Sequence, residues 1–505
     1  MNTTLLVFVL LYLIATLAVG AWAGLRIKNT EDFAVAGHSL PLYMVITTSF
    51  ATWFGAETVM GIPATFVQEG LRGVIEDPFG ASMCLVLVGV FFATKLYRMH
   101  LITIGDFYRK RFGVKVEIMC SIMIILSYLG WVAAQITALG LVFSILSGGE
   151  ISHQWGMVIG TVLVLIYVMM GGMLAVAWTD FIQMIVLVIG LSYIAYYSAD
   201  LVGGSDKVFA LARERGWFNI LPEAGETTAA SIQNWMFYVA AAITMMFGSI
   251  PQQDVFQRVM SAKNESAARN GAVIGGLCYL AFAFVPMFIV SAALLAMPEH
   301  APELLANDPQ QVLPRMILDH MPLIAQIFFF GALVSAIKSC SSATLLAPST
   351  SFVENILRHL APSLNDKQLL FAMRLTILIF TASVLTYAIL SHGTPIYELV
   401  SSAYQVTLVG SFVPLTFGLY WKRSTTQGAI LAIVMGVAFW AVIMFGSHLS
   451  DFLPALEKID ERVPAQLIGL IAALVGMIGG SLGPQWIRND HHELDEDLSH
   501  AQMPA

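Results

Sequence analysis

Charge is what this chain has least of. Only 11% of its 505 residues are Asp, Glu, Lys or Arg, 57% are hydrophobic, and the mean hydropathy is +0.76. Soluble domains carry about 25% charged residues, so the composition is that of a polytopic membrane protein. Cysteine is scarce as well. Cys84, Cys120, Cys278 and Cys340 fall in or beside apolar runs without metal-ligand spacing, and read as small buried hydrophobes rather than a disulfide framework. The 11 histidines include no HExxH or similar helical pair. There is no P-loop, no GxSxG and no dinucleotide fingerprint, which argues against an enzyme and against ATP-driven transport. A net charge of −8 without a basic domain argues against nucleic acid. The stretch Asp490 to Asp497, although it contains His491 and His492, reads as a solvated acidic tail and not a metal site.

What the chain does have is long apolar runs. A bilayer span needs about 20 residues, and thirteen candidates follow: 4–25, 41–67, 75–97, 116–147, 154–171, 173–199, 229–259, 267–297, 319–352, 368–391, 394–421, 426–446 and 464–484. The weakest boundary is Met169 to Met173. The first segment keeps its place as a span, despite the small residues of Ala21-Trp22-Ala23, because Met1-Asn2-Thr3-Thr4 lacks the positive charge of a signal peptide. Two runs are interrupted in the same way. Segment 41–67 contains Phe54-Gly55-Ala56-Glu57 and Gly61-Ile62-Pro63; segment 229–259 contains Phe247-Gly248-Ser249-Ile250-Pro251. Proline removes a backbone donor, and glycine tolerates non-helical dihedrals. Within lipid, the freed backbone groups must be satisfied inside the protein or by a cavity. A matched pair of broken helices therefore points to the buried ligand site of a secondary transporter.

Orientation is read from the connections. Of the 25 Lys and Arg residues, Lys338 lies within a span. Arg72, Lys207, Arg213, Arg215, Arg315, Lys458 and Arg462 fall on one side, and the remaining 17 fall on the other. This bias predicts an external N-terminus, a cytoplasmic C-terminus and an odd number of spans.

Four ordered segments resemble the sodium/solute symporter family: Gly105 to Gly113, Gly171 to Asp180, Pro251 to Lys263, and Ser335 to Leu346. The resemblance covers roughly residues 4–484 and is nearest in pattern to the choline-transporter-like branch. It implies an all-α polytopic membrane protein with about thirteen transmembrane helices and a five-plus-five inverted-repeat core of the leucine-transporter fold. Residues 1–40 would form a leading helix and cytoplasmic loop, 41–199 the first repeat, 200–228 an external loop and 229–421 the second repeat. Residues 422–484 would add two accessory helices, and 485–505 a cytoplasmic tail.

The same resemblance implies a coupling-ion site made by the carbonyls of Ala51, Phe54 and Ala336, the hydroxyl of Ser339, and Cys340 at a position usually held by serine or threonine. A thiol is a poor ligand for a hard cation. Asp180 and Ser342 match a second ion site present in some members. On a helical wheel Lys338 shares a side with Ser342, so its ammonium is expected to stand in for that ion and to pair with Asp180. The choline-transporter-like branch cages a quaternary ammonium with aromatics. Trp53 and Trp131 match two cage positions; Ala81, Gln252 and Glu398 depart from the others. Trp53, Glu57, Trp131, Gln252 and Glu398 are the expected solute contacts, with packing as the plainer role for the tryptophans and a structural one for Glu57.

The implied function is sodium-coupled uptake of a small organic solute, an amine or quaternary ammonium, across the inner membrane by alternating access. No enzymatic cofactor, no metal beyond sodium and no obligate protein partner is expected. Proton coupling and sodium independence are the alternatives within transport. A transporter-like sensor is the rival from another class, ranked lower because only residues 485–505 follow the last span.

Overall fold

The computed structural model describes residues 3–25, 30–391, 393–446 and 459–487. Arg26, Lys28, Lys458, Arg488 and the acidic stretch 490–497 lie outside the described residues. Among those described there is no β-strand; one parallel bridge joins Leu40 to Ala262. We label the main helices α1 (Thr3–Gly24), α2 (Leu42–Trp53), α3 (Ile62–Glu69), α4 (Ile75–Tyr97), α5 (Val114–Leu146), α6 (His153–Leu201) and α7 (Thr228–Gly248). They continue as α8 (Gln253–Met260), α9 (Glu265–Ala296), α10 (Leu323–Leu360), α11 (Asp366–Leu390), α12 (Ile396–Tyr420), α13 (Thr426–Met444) and α14 (Ala465–Leu482).

Nine helices among the described residues are long and apolar enough to cross a membrane, and Val7–Trp22 and His153–Met169 are shorter apolar helices. The expected count of thirteen is not confirmed. Both interrupted segments are indeed broken. α2 ends where Phe54 leaves helical geometry (φ −81°, ψ 75°), and a wide helical turn, Glu57–Gly61, leads into α3. α7 stops at Gly248, Gln252 is extended (φ −70°, ψ 135°), and α8 restarts at Gln253. The Leu40–Ala262 bridge joins the entrance of the first broken unit to the exit of the second: Leu40 N–H donates to Ser261 O at 2.9 Å, and Lys263 N–H donates to Leu40 O at 2.9 Å.

The weak boundary at 169–173 becomes a kink inside one long helix, α6. Gly172 has φ 52° and ψ −161°, a conformation that side chains rarely adopt, and a Cβ there would sit 2.8 Å from the carbonyl oxygen of Phe33. Glycine is needed for both reasons. A break that sequence reasoning passed over lies at the start of α4. Asp77 is extended (φ −138°, ψ 124°) and Pro78 follows it, so two acidic residues, Glu76 and Asp77, are turned into the bundle within an apolar span.

The core is a single cluster threaded by α2, α5, α9, α10 and α12. Large apolar side chains also point outward, among them Trp155, Ile189 and Phe371. Such faces suit helices surrounded by lipid rather than water. The accessory pair α13 and α14 pack on each other beside the end of α12.

Candidate solute and ion site

Breaking a helix frees amides and carbonyls that need partners. At the first break, Ala56 N–H donates to Gln135 Oε1 at 3.1 Å, and the Thr58 hydroxyl donates to the Trp53 carbonyl at 2.8 Å. Gly55 allows this approach: a Cβ there would meet Gln135 Oε1 at 2.9 Å and the Cys340 Cβ at 3.2 Å. At the second break, the Thr407 hydroxyl donates to Gly248 O at 2.6 Å. Gln252 Nε2 donates to the Ser127 hydroxyl at 2.9 Å, and Asp254 N–H donates to the Tyr128 hydroxyl at 2.9 Å. α5 thus bonds to both breaks, joined by α12 at the second.

Asp254 and Arg258 sit within α8 and are buried. The Tyr128 hydroxyl donates to Asp254 Oδ1 at 2.5 Å. The Arg258 guanidinium lies 4.0 Å from Asp254 Oδ2 and donates to the carbonyls of Asp254 (2.9 Å) and Thr48 (3.3 Å). Buried charge is tolerated when paired and hydrogen-bonded in this way.

The residues expected around the ions converge between α2, α6 and α10. Asp180 accepts from the hydroxyls of Thr48 (2.6 Å) and Ser339. Cys340 Sγ donates to Thr52 O at 3.3 Å, which places the thiol against the end of α2 close to Gly55. Ala51, Phe54 and Ala336 are buried in the same region. Ser342 turns its hydroxyl back on its own helix, donating to Ser339 O at 2.7 Å. Lys338 departs from expectation. It forms no direct ion pair with Asp180; its ammonium donates to Thr16 of the leading helix at 2.6 Å and lies 4.4 Å from the centroid of the Tyr167 ring. Asp180 remains within its electrostatic range.

Trp53 and Trp131 stack at 5.5 Å between centroids, and Tyr404 of α12 closes the cluster at 5.5 Å from Trp53 and 5.4 Å from Trp131. Tyr128 also stacks on Trp131, at 6.0 Å between centroids. Gln252 is buried beside them with its Oε1 unpartnered. Glu398 is not brought in: it is exposed near the start of α12, while its neighbours Tyr397 and Ser401 approach the bundle interior.

Glu57 is buried and lies in electrostatic range of Asp77 and Glu76. The Tyr279 hydroxyl donates to Asp77 Oδ1 at 2.6 Å and lies 3.0 Å from the Thr58 hydroxyl; Ser401 donates to Glu76 Oε2 at 2.8 Å. Sequence reasoning missed Glu76, Asp77, Tyr279 and Tyr404. The signal for the first two was present: adjacent carboxylates immediately before a proline, at the head of an apolar span.

With this geometry in view, comparison with known proteins is decisive. Residues 33–436 match the model of the sodium:solute symporter family. The chain belongs to that family. It is 24% identical to the human high affinity choline transporter 1 over 86% of this chain and 75% of the relative. It is 27% identical to the high-affinity proline transporter PutP of Bacillus subtilis (strain 168), over 96% of this chain and 100% of the relative. The solved structure of a Na+-coupled sialic acid symporter in a substrate-bound outward-open state superposes with a TM-score of 0.77 at 21% identity, covering 95% of this chain and 98% of that one. The fold is therefore the all-helical, leucine-transporter-like one, and the symporter is a multi-pass membrane transporter, not an enzyme.

Proposed function

We propose that this symporter couples one sodium ion per cycle to uptake of a small amine-bearing organic solute, by alternating access around the two broken helices. The observation that carries the reading is the junction at Trp53-Phe54-Gly55. On one side of it stand Asp180, Ser339 and Cys340; on the other, the Trp53–Trp131–Tyr404 cluster. An aromatic cluster next to a buried carboxylate suits a desolvated cation. Unwound backbone carbonyls beside Asp180 suit a hard ion. The solutes named for the relatives, choline and proline, both carry a cationic nitrogen group, which supports the amine reading.

Single-ion coupling follows from Lys338. Its amino group lies in electrostatic range of Asp180 and, when protonated, supplies the positive charge that a second cation would otherwise bring to the carboxylate. The membrane is the inner membrane, with the N-terminus outside and the C-terminus cytoplasmic, as the distribution of Lys and Arg predicts. Proteoliposomes test the function. An imposed inward sodium gradient is expected to drive accumulation of labelled solute with a Hill coefficient near one for sodium. Accumulation that follows a proton gradient and ignores sodium would overturn the coupling.

A further inference from the structure

Glu57, Glu76 and Asp77 form a buried group of three carboxylates, 3%, 5% and 0% exposed. Among the described residues no lysine, arginine or histidine bonds or pairs with any of them. Their partners are neutral hydroxyls, Tyr279 on Asp77 and Ser401 on Glu76. One oxygen on each of Glu76 and Asp77, Oε1 and Oδ2, is buried without a hydrogen-bond partner. Elsewhere in the interior, Asp254 and Asp180 have Arg258 and Lys338 at hand.

A separate observation marks this group as a ligand site. The Tyr404 hydroxyl, on a wholly buried side chain of the aromatic cluster, has no hydrogen-bond partner and lies in electrostatic range of Glu57. The carboxylate group and the aromatic cluster are joined at the first break. Glu57 is four residues beyond Trp53, and the Trp53 carbonyl, the Thr58 hydroxyl, the Tyr279 hydroxyl and Asp77 follow one another at polar-contact distances.

The chemistry of these atoms narrows the ligand. Unpartnered carboxylate oxygens call for N–H donors, and leaving them unmet in a dry interior is costly. A quaternary ammonium has no N–H to offer. Three carboxyl groups in one buried group, when ionised, balance more than one positive charge. No three acidic, histidine or cysteine side chains among the described residues are close enough to hold a single metal ion. The charges are therefore spread out, which fits separate cationic groups along an organic chain. We infer that the solute is a small organic dication with primary ammonium groups, an α,ω-diamine, one ammonium held by Glu76 and Asp77 and its chain laid against Trp53. This assignment rests on the amine reading above and sharpens it.

The test uses the purified full-length protein and the α,ω-diamines from 1,2-diaminoethane to 1,6-diaminohexane, each paired with its monoamine, plus tetramethylammonium. Binding is measured by calorimetry with and without sodium, and uptake separately in proteoliposomes. At least one diamine is expected to bind roughly ten-fold or more tighter than its monoamine, the scale of one added charged hydrogen-bonding group. Tetramethylammonium is expected not to displace it. Glu76→Gln and Asp77→Asn are each expected to remove most of the diamine's advantage over its monoamine. Equal binding of diamines and monoamines, or preferential binding of tetramethylammonium, overturns the inference, and the wild-type ranking alone decides this if the variants fail to fold. Diamine binding without sodium-driven uptake upholds the ligand class and overturns the coupling. Sodium-driven uptake of a neutral or anionic solute, with no diamine bound, does the reverse.

Discussion

Two buried acidic regions flank the same broken helix, and they are built on opposite plans. Around Asp180 and Asp254 the protein supplies its own balance: Arg258, Lys338, and the hydroxyls of Thr48, Ser339 and Tyr128. Around Glu57, Glu76 and Asp77 it supplies two hydroxyl donors and no cation. A buried charge without a counterion is destabilising unless something else neutralises it. The first plan describes a region finished at folding, whose remaining coordination is for a small ion. The second describes a region completed only when a cationic ligand or protons arrive. The contrast teaches that burial of acidic residues in a membrane protein is not one signal: whether the protein itself supplies the counterion separates framework from site.

The sharpest way to break the comparison is to exchange the consequences. Arg258→Met removes the partner of a buried carboxylate and is expected to cost about 3–5 kcal/mol, seen as loss of monodisperse protein or a large fall in melting temperature. Glu76→Gln removes a carboxylate that has no cation, and is expected to leave the melting temperature unchanged or raise it. Equal destabilisation by both variants would erase the distinction between the two regions.

Next in size is the aromatic wall between them. Trp53→Ala is expected to weaken solute binding by about 1–2 kcal/mol, roughly ten-fold in apparent affinity. Trp53→Phe is expected to lose less, because indole is the better partner for a cation. Transport with unchanged half-saturation in the alanine variant would reduce Trp53 to packing.

Lys338→Met probes the balanced side. With the ammonium gone, Asp180 is freed to accept an ion, and the Hill coefficient for sodium is expected to rise from about one toward two. A coefficient that stays at one while transport persists would show that Lys338 serves only to anchor α1 through Thr16. The smallest effect expected is for Cys340→Ser. Sodium dependence is expected to be retained or tightened a few-fold, since an oxygen replaces sulfur for a hard cation. Weaker sodium activation would remove position 340 from the ion site.

The backbone interruptions were legible because they are local. Gly55 and Gly248 permit non-helical dihedrals, and Pro63 and Pro251 fix φ and remove a donor, each at its own position whatever packs around it. The same holds for the apolar runs and for the family motifs, since hydropathy and order along the chain need no third dimension. That Asp180 and Ser339 belong to neighbouring ion sites was readable only through the resemblance, which set Asp180 with Ser342; the structure instead bonds Ser339 to Asp180. The partner of Lys338 was not readable at all: helical periodicity gives the side of α10 that Lys338 occupies, but not that α1 brings Thr16 to it from 322 residues away. Glu398 shows the reverse error, where a residue of suitable chemistry in a matching stretch lies on the outward face.

Composition and local chemistry alone thus determined that this protein crosses a membrane and where two of its helices break. Only the tertiary structure decided which charges meet there. It took Glu57 from one break, Glu76 and Asp77 from another, Tyr279 from α9 and Tyr404 from α12, and set them around a common interior. The physical reason is range: dihedral preference and hydropathy act within a few residues, whereas the neutralisation of a buried charge depends on whatever the packed bundle brings within a few ångströms.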